Sequence, residues 1–325
     1  MKGLGLKRLL ALALSACILS GCAEEDIPLA GAYDITENVY LVTDDSGEGN
    51  SRHFFGENLC VGEDIYTENP DVSDHLAKAM GLFDLTTGEI LFSKNIYDRI
   101  YPASTTKLMT IYLVLKYGKL SDEVEVSARA VNQASDSSVC GLDEGDRITV
   151  EELLYGLMLR SGNDAAVALA EYVSGSVEEF ADLMNQEAAE LSCTGSHFVN
   201  PNGLHDPEHY TTAYDLYLIF NAATQYDEFI KIIGTPMHTA EYTDAYGDPV
   251  IVDWSNTNKF INGDVKPPEG YVIIGGKTGT TNAAGYCLLV MGQNAIGDKV
   301  IAVVMKAGGR SDLYEVMKQM MAAYN

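Results

Sequence analysis

YVIIGGKTGTTNAAGYCLLVMGQNAIGDKVIAVVMKAGG, Tyr271 to Gly309, holds three apolar runs, each closed by glycine or by a polar turn. Runs this short, rich in Val, Ile and Leu, predict three neighbouring strands. Upstream, KAMGLFDL and GEILFSKN are two further β-type runs separated by Thr86, Thr87 and Gly88, the signature of a hairpin. Between these ends the pattern is helical. One helix is expected from Ser104 to Tyr117, stopped by Gly118. Thr149 with Glu152, and Ser176 with Glu179, have capping-box spacing before apolar-periodic segments. Gly162 falls between VEELLYGLMLR and DAAVALAEYV, which places Ser161, Gly162 and Asn163 in a tight interhelical turn. A further helix near Thr212 to Gln225 follows the irregular stretch HFVNPNGLHDPEHY, and a last one starts at about Ser311. Strands at both ends with helices between predict an α/β fold. Its antiparallel sheet is formed from N- and C-terminal strands flanked by helices, and an all-helical lobe is inserted in it.

The 325 residues are 46% hydrophobic and 21% charged, an ordinary globular composition. The net charge of −26 argues against nucleic acid as a partner, because phosphate backbones would repel so acidic a chain. The first 22 residues differ: Lys2, Lys7 and Arg8 precede an apolar run from Leu9 to Leu19, and Leu19-Ser20-Gly21-Cys22 forms a small-residue junction. The run is short for a bilayer span, which needs about 20 apolar residues. The junction resembles the bacterial lipoprotein box, so Cys22 is the expected lipid attachment site. Three segments follow: residues 1–22 a lipoprotein signal peptide, 23–75 an acidic tether, 76–325 the functional domain. The expected location is outside the cell, lipid-anchored to the outer face of the bacterial cytoplasmic membrane. Of the remaining cysteines, Cys193 and Cys287 fit buried positions, and Cys60 with Cys140 is a candidate disulfide in an oxidising compartment.

The segment IYPASTTKLMT, Ile100 to Thr110, puts Lys107 one helical turn beyond Ser104, on the same face. A serine hydroxyl is a poor nucleophile until a base takes its proton. An ordinary lysine, with a pKa of about 10.4, is neutral in only about one molecule in two thousand at pH 7. Burial or a nearby cation must lower that value by about 3 units, a differential stabilisation of about 4 kcal/mol. GGKTGTT, Gly275 to Thr281, supplies the cation: Lys277, at the end of an apolar β run, can bind a carboxylate while disfavouring protonation of Lys107. A lone Ser-x-x-Lys carries little weight. Its serial order with Ser-Gly-Asn at 161–163 and Lys-Thr-Gly at 277–279 carries much more, because these are the three elements of penicillin-recognising serine enzymes.

From about Ala77 to the C-terminus the chain resembles the serine-type D-alanyl-D-alanine carboxypeptidases, low-molecular-mass penicillin-binding proteins. The resemblance rests on YPASTTK, SGNDAA, GGKTGTTNAAGYCL, HFVNPNGL and HYTTAYDL. It implies a β-lactamase/transpeptidase-like fold, the D-Ala-D-Ala end of peptidoglycan stem peptides as substrate, β-lactams as covalent inhibitors, and no cofactor or metal. It further implies that Ser104 attacks, Lys107 takes its proton, Ser161 relays a proton to the leaving amine and Asn163 holds Lys107 and the substrate amide. Lys277 and Thr278 would bind the terminal carboxylate, the N–H groups of Ser104 and Thr280 would form the oxyanion hole, and Gly279 would let the strand approach substrate. Arg310 is a weaker candidate for the carboxylate. Many relatives carry a C-terminal amphipathic anchor, whose place the lipid at Cys22 would take.

Competing patterns fail on chemistry. GGKT lacks the glycine a phosphate-binding loop requires, Tyr271 standing in its place. His205 and His209 have metal-like spacing, but Pro207 between them breaks a shared helical face, and they are expected to be structural, as is His197. The Glu-x-x-Leu-Asn segment that goes with fast β-lactam deacylation is missing from the chain.

Overall fold

A computed structural model describes residues 59–63 and 66–324. The predicted hairpin forms β1 (Ala79–Asp84) and β2 (Ile90–Lys94). Its turn is closed by Asp84 Oδ1, which accepts from Thr86 N–H at 2.7 Å, and Gly88 takes φ +75°. After a 3₁₀ turn (Ala103–Thr106) come α1 (Lys107–Tyr117), β3 (Glu123–Glu125), α2 (Ala128–Val131), β4 (Arg147–Thr149) and α3 (Val150–Tyr155). Then follow α4 (Asn163–Ser174), α5 (Val177–Glu190), α6 (Ala213–Ala223), α7 (Asp227–Ile233), β5 (Met237–Thr243) and β6 (Pro249–Ser255). The chain closes with β7 (Tyr271–Thr281), β8 (Gly285–Asn294), β9 (Lys299–Ala307) and α8 (Arg310–Ala322).

The first two and last three strands make one antiparallel five-stranded sheet, in the order β2-β1-β9-β8-β7. Its central strands are apolar on both faces, and the two-residue period sorts them cleanly. Phe83, Leu289, Ile301 and Val303 point to the core shared with the helical lobe, whereas Leu82, Leu288, Val290 and Ala302 point to the core under α8. Val316, Met317, Met320 and Met321 of α8 are fully buried there, each contributing about 1.5–3 kcal/mol of gross burial energy. The predicted caps form: Thr149 Oγ1 accepts from Glu152 N–H at 3.3 Å and Ser176 Oγ from Glu179 N–H at 3.1 Å.

Three expectations are corrected. The inserted lobe is not all-helical, since β3, β4, β5 and β6 form a four-stranded antiparallel sheet within it. MHTAEYT and PVIVDWS are one-sided strands whose outer faces are polar or exposed, so they lack the apolar density that marks β7 to β9. The tether does not run to residue 75. Cys60 is fully buried, its N–H donates to Tyr217 Oη at 2.8 Å, and Ser73 N–H donates to Gln319 Oε1 at 2.8 Å. A few buried anchors with satisfied backbone groups hold residues 59–63 and 66–75 to the domain. Finally, Cys60 and Cys140 form no disulfide; all four cysteines among the described residues are free. Cys60 Sγ donates to the Asp84 carbonyl, whereas Cys140 Sγ packs against Gly156 and Gly162 in the lobe. The signal peptide, Cys22 and residues 23–58 lie outside the described residues.

Candidate active site

Ser104 sits in the 3₁₀ turn that leads into α1, and Lys107 is the first residue of that helix. Ala103, just before the nucleophile, has φ +50°, a left-handed conformation that costs an L-residue about 1–2 kcal/mol. Main chain holds it there from two sides. A Cβ on Gly203 (φ +86°) would fall 1.8 Å from the Ala103 carbonyl oxygen, and one on Gly279 would fall 3.0 Å from Ser104 N. Gly279 was expected to admit substrate. What its missing side chain admits is the backbone of residues 102–105.

Lys107 is completely buried. Its Nζ lies 3.1 Å from Ser104 Oγ, 2.8 Å from Asn163 Oδ1 and 2.7 Å from the Asn202 carbonyl oxygen. Burial, and then the charge of Lys277, push its pKa far below the ordinary lysine value. A neutral amine has two N–H groups and one lone pair. Asn163 Oδ1 and Asn202 O can only accept, so they take both N–H groups, and the lone pair is left facing the Ser104 hydroxyl. This is the geometry of a general base beside its nucleophile.

Lys277 on β7 is also buried, and desolvation pulls its pKa down to about 7. It donates to Ser161 Oγ at 3.0 Å and to the Thr278 carbonyl at 2.9 Å. Its ammonium therefore lies behind the cleft wall, and Ser161 and Thr278 stand in front of it. Ser161 has φ +59° where a π-helical turn, Gly156–Arg160, ends. Such turns interrupt the regular ladder and often occur at functional sites. Asn163, predicted in the interhelical turn, opens α4. Its N–H donates to the Ser138 carbonyl at 2.8 Å.

Two clefts meet at Ser104 and Thr280. One, of about 320 Å³, is lined by Ser161, Thr257, Thr278, Gly279 and Arg310, among others. The other, of about 480 Å³, is lined by Asp136, Ser138, Asn163, Gly203 and Thr281, among others. Thr278 Oγ1 lies 3.0 Å from Thr257 Oγ1. The sequence-predicted residues of the domain thus converge, and the exposed Arg310 also lines the first cleft.

Sequence reasoning missed two supports. The Asn202 carbonyl is a partner of Lys107 that only the path of the backbone reveals. Asp164, fully buried beside Asn163, accepts from the N–H groups of Cys140, Gly141 and Leu142 at 2.9, 3.0 and 3.3 Å and so pins the loop that carries Ser138. The SGND run could have signalled it, since a buried carboxylate needs such partners. His209 is structural, as expected. Val199 N–H donates to its Nδ1 at 3.1 Å, which leaves Nε2–H to donate to Thr106 Oγ1 at 2.8 Å, and burial pulls its pKa down to about 4.

A family model described as D-alanyl-D-alanine carboxypeptidase matches residues 65–309. The chain is similar to the D-alanyl-D-alanine carboxypeptidase DacF of Bacillus subtilis, with 38% identity over 72% of this chain and 58% of that protein. It is 34% identical to DacD of Escherichia coli over 70% of this chain and 57% of that protein. Thus the chain spans somewhat more than half the length of these relatives. A D-alanyl-D-alanine carboxypeptidase of Streptomyces sp. strain K15 is 34% identical over 71% of this chain and 82% of that protein. The crystal structure of the Streptomyces K15 DD-transpeptidase superposes with a TM-score of 0.70 at 30% identity, covering 79% of this chain and all of that one. With its three motifs assembled around one buried lysine, the chain belongs to the D-alanyl-D-alanine carboxypeptidase family.

Proposed function

We propose that the protein is a penicillin-binding serine hydrolase that removes the terminal D-alanine from peptidoglycan stem pentapeptides through an acyl-enzyme, and so remodels the cell wall. The observation that carries this reading is the buried Lys107 amine between Asn163 Oδ1, Asn202 O and Ser104 Oγ. Lys107 takes the hydroxyl proton as Ser104 attacks the penultimate D-Ala carbonyl. The N–H groups of Ser104 and Thr280 receive the developing oxyanion, a contribution of about 3 kcal/mol per donor. Ser161, hydrogen-bonded to Lys277, relays a proton to the leaving amine. The D-alanine carboxylate lies in the cleft of Thr278, Thr257 and Arg310, with the charge of Lys277 behind it. Water then hydrolyses the acyl-enzyme. A β-lactam enters the same path and acylates Ser104.

The mature protein is expected to release free D-alanine from a peptide ending in Lys-D-Ala-D-Ala. No release above a Ser104→Ala control would reject the reading. Similarity to a DD-transpeptidase favours a second outcome, in which an added amine acceptor captures the acyl group; product analysis with and without the acceptor separates the two.

The pH dependence follows from the two lysines. Lys107 must be neutral, so kcat/KM rises as pH climbs through its depressed pKa. Lys277 must be charged to attract the carboxylate, so kcat/KM falls again above about pH 7. Lys277→Arg keeps its proton and is expected to move the alkaline limb upward by more than one pH unit. An unshifted limb would assign it to another group.

We further infer export and lipid attachment at Cys22, supported by the basic n-region, the apolar run and the Leu-Ser-Gly-Cys junction. Expressed in a bacterial host, the wild type is expected in the membrane fraction and Cys22→Ala in the soluble one. Equal partitioning of the two would remove Cys22 as the anchor.

A further inference from the structure

The two clefts that meet at Ser104 differ in charge. The first carries Arg310 and Lys259, the latter 3.9 Å from Asp264, a net positive lining that suits the leaving D-alanine with its carboxylate. A peptide crossing Ser104 must then lay its acyl portion in the second. That cleft is lined by the carboxylate of Asp136, the imidazole of His205 and Leu204, which is 38% exposed. Asp136 has no cationic partner among the described residues. It is held in a tight turn in which Ser137 N–H donates to the Ala134 carbonyl at 2.9 Å. One residue further, the Ser138 carbonyl accepts from Asn163 N–H, which fixes the turn to the catalytic helix. An unpaired carboxylate and an exposed leucine suit a chain of methylenes that ends in a cation.

The geometry points to Asp136 as a specificity-determining residue that selects acyl donors whose residue before the D-Ala pair carries a free side-chain ammonium. This rests on the carboxypeptidase reading above. Leu204 covers the methylenes of such a diamino acid, and Asp136 pairs with its amine.

The test compares two peptides, Nα-acetyl-Lys-D-Ala-D-Ala with the ε-amine free and the same peptide with the ε-amine acetylated, followed by D-alanine release at low and high salt. The wild type is expected to favour the free amine about fivefold in kcat/KM, as befits one partly exposed ion pair, with the preference shrinking at high salt. Asp136→Asn is expected to erase the preference and leave turnover of the acetylated peptide unchanged. Asp136→Lys is expected to reverse it toward a succinylated side chain, an effect that mere loosening of the loop would not produce. Equal turnover of both peptides by the wild type, or a preference that survives in Asp136→Asn, overturns the assignment. Release from neither peptide overturns the carboxypeptidase reading itself and this assignment with it.

Discussion

Replacing Lys107 with methionine will slow acylation of Ser104 by labelled penicillin about 10²- to 10⁴-fold, the range expected when a positioned general base is lost. Methionine keeps the length and apolar stem of lysine and removes only the amine, so the effect isolates proton transfer. The Asn163 side-chain oxygen and the Asn202 carbonyl each lose a donor, at about 1–3 kcal/mol apiece. Against this stands the cost of burying the lysine. Its folded-state pKa is depressed, so the unfolded chain binds the extra proton. Stability is therefore greatest above the unfolded pKa of about 10.4 and is lost as pH falls toward the folded value. The methionine variant is expected to lose less stability than the wild type between pH 10 and pH 7. Intact-mass kinetics and pH-dependent melting check both halves. Acylation within tenfold of wild type would mean that another group takes the serine proton.

Asp164→Ala is expected to cost about 4 kcal/mol, because the buried amides of Cys140 and Leu142 and the part-buried amide of Gly141 would lose their acceptor. For a domain of this size that is a drop in Tm of about 10 °C. Acylation by penicillin should fall as well, since the displaced loop carries the Ser138 carbonyl that receives Asn163 N–H. Asp164→Asn retains one acceptor oxygen and should recover part of both losses. A variant that melts within 2 °C of wild type would show that the loop is held by other contacts, chiefly the Trp254 Nε1–H bond to the Cys140 carbonyl at 3.3 Å.

Much of this site is legible in the sequence. Ser104, Lys107, Ser161, Asn163 and Lys277 announce themselves because each needs a particular side-chain chemistry in a particular serial order. The five-stranded sheet was equally plain, because strands buried on both faces read as continuous apolar runs. Two kinds of feature stayed hidden. Contacts made by main chain, such as the Asn202 carbonyl on Lys107 or the glycines against Ala103, leave no side-chain signature. Half-exposed elements, such as β5, β6 and the stretch around Cys60, bury too little apolar surface to stand out from loops. That Arg310 lines the cleft depends on α8 starting beside it, a matter of tertiary placement.

The turn bearing Ser104 is clamped by peptide groups of two distant segments rather than by the side chains that meet substrate. Rim positions such as Asp136, Leu204 or Thr257 can therefore be randomised while the attacking oxygen keeps its aim. That separation makes the scaffold suited to laboratory evolution of new acyl-donor preferences, with library diversity placed on the rims and Gly203 and Gly279 left untouched.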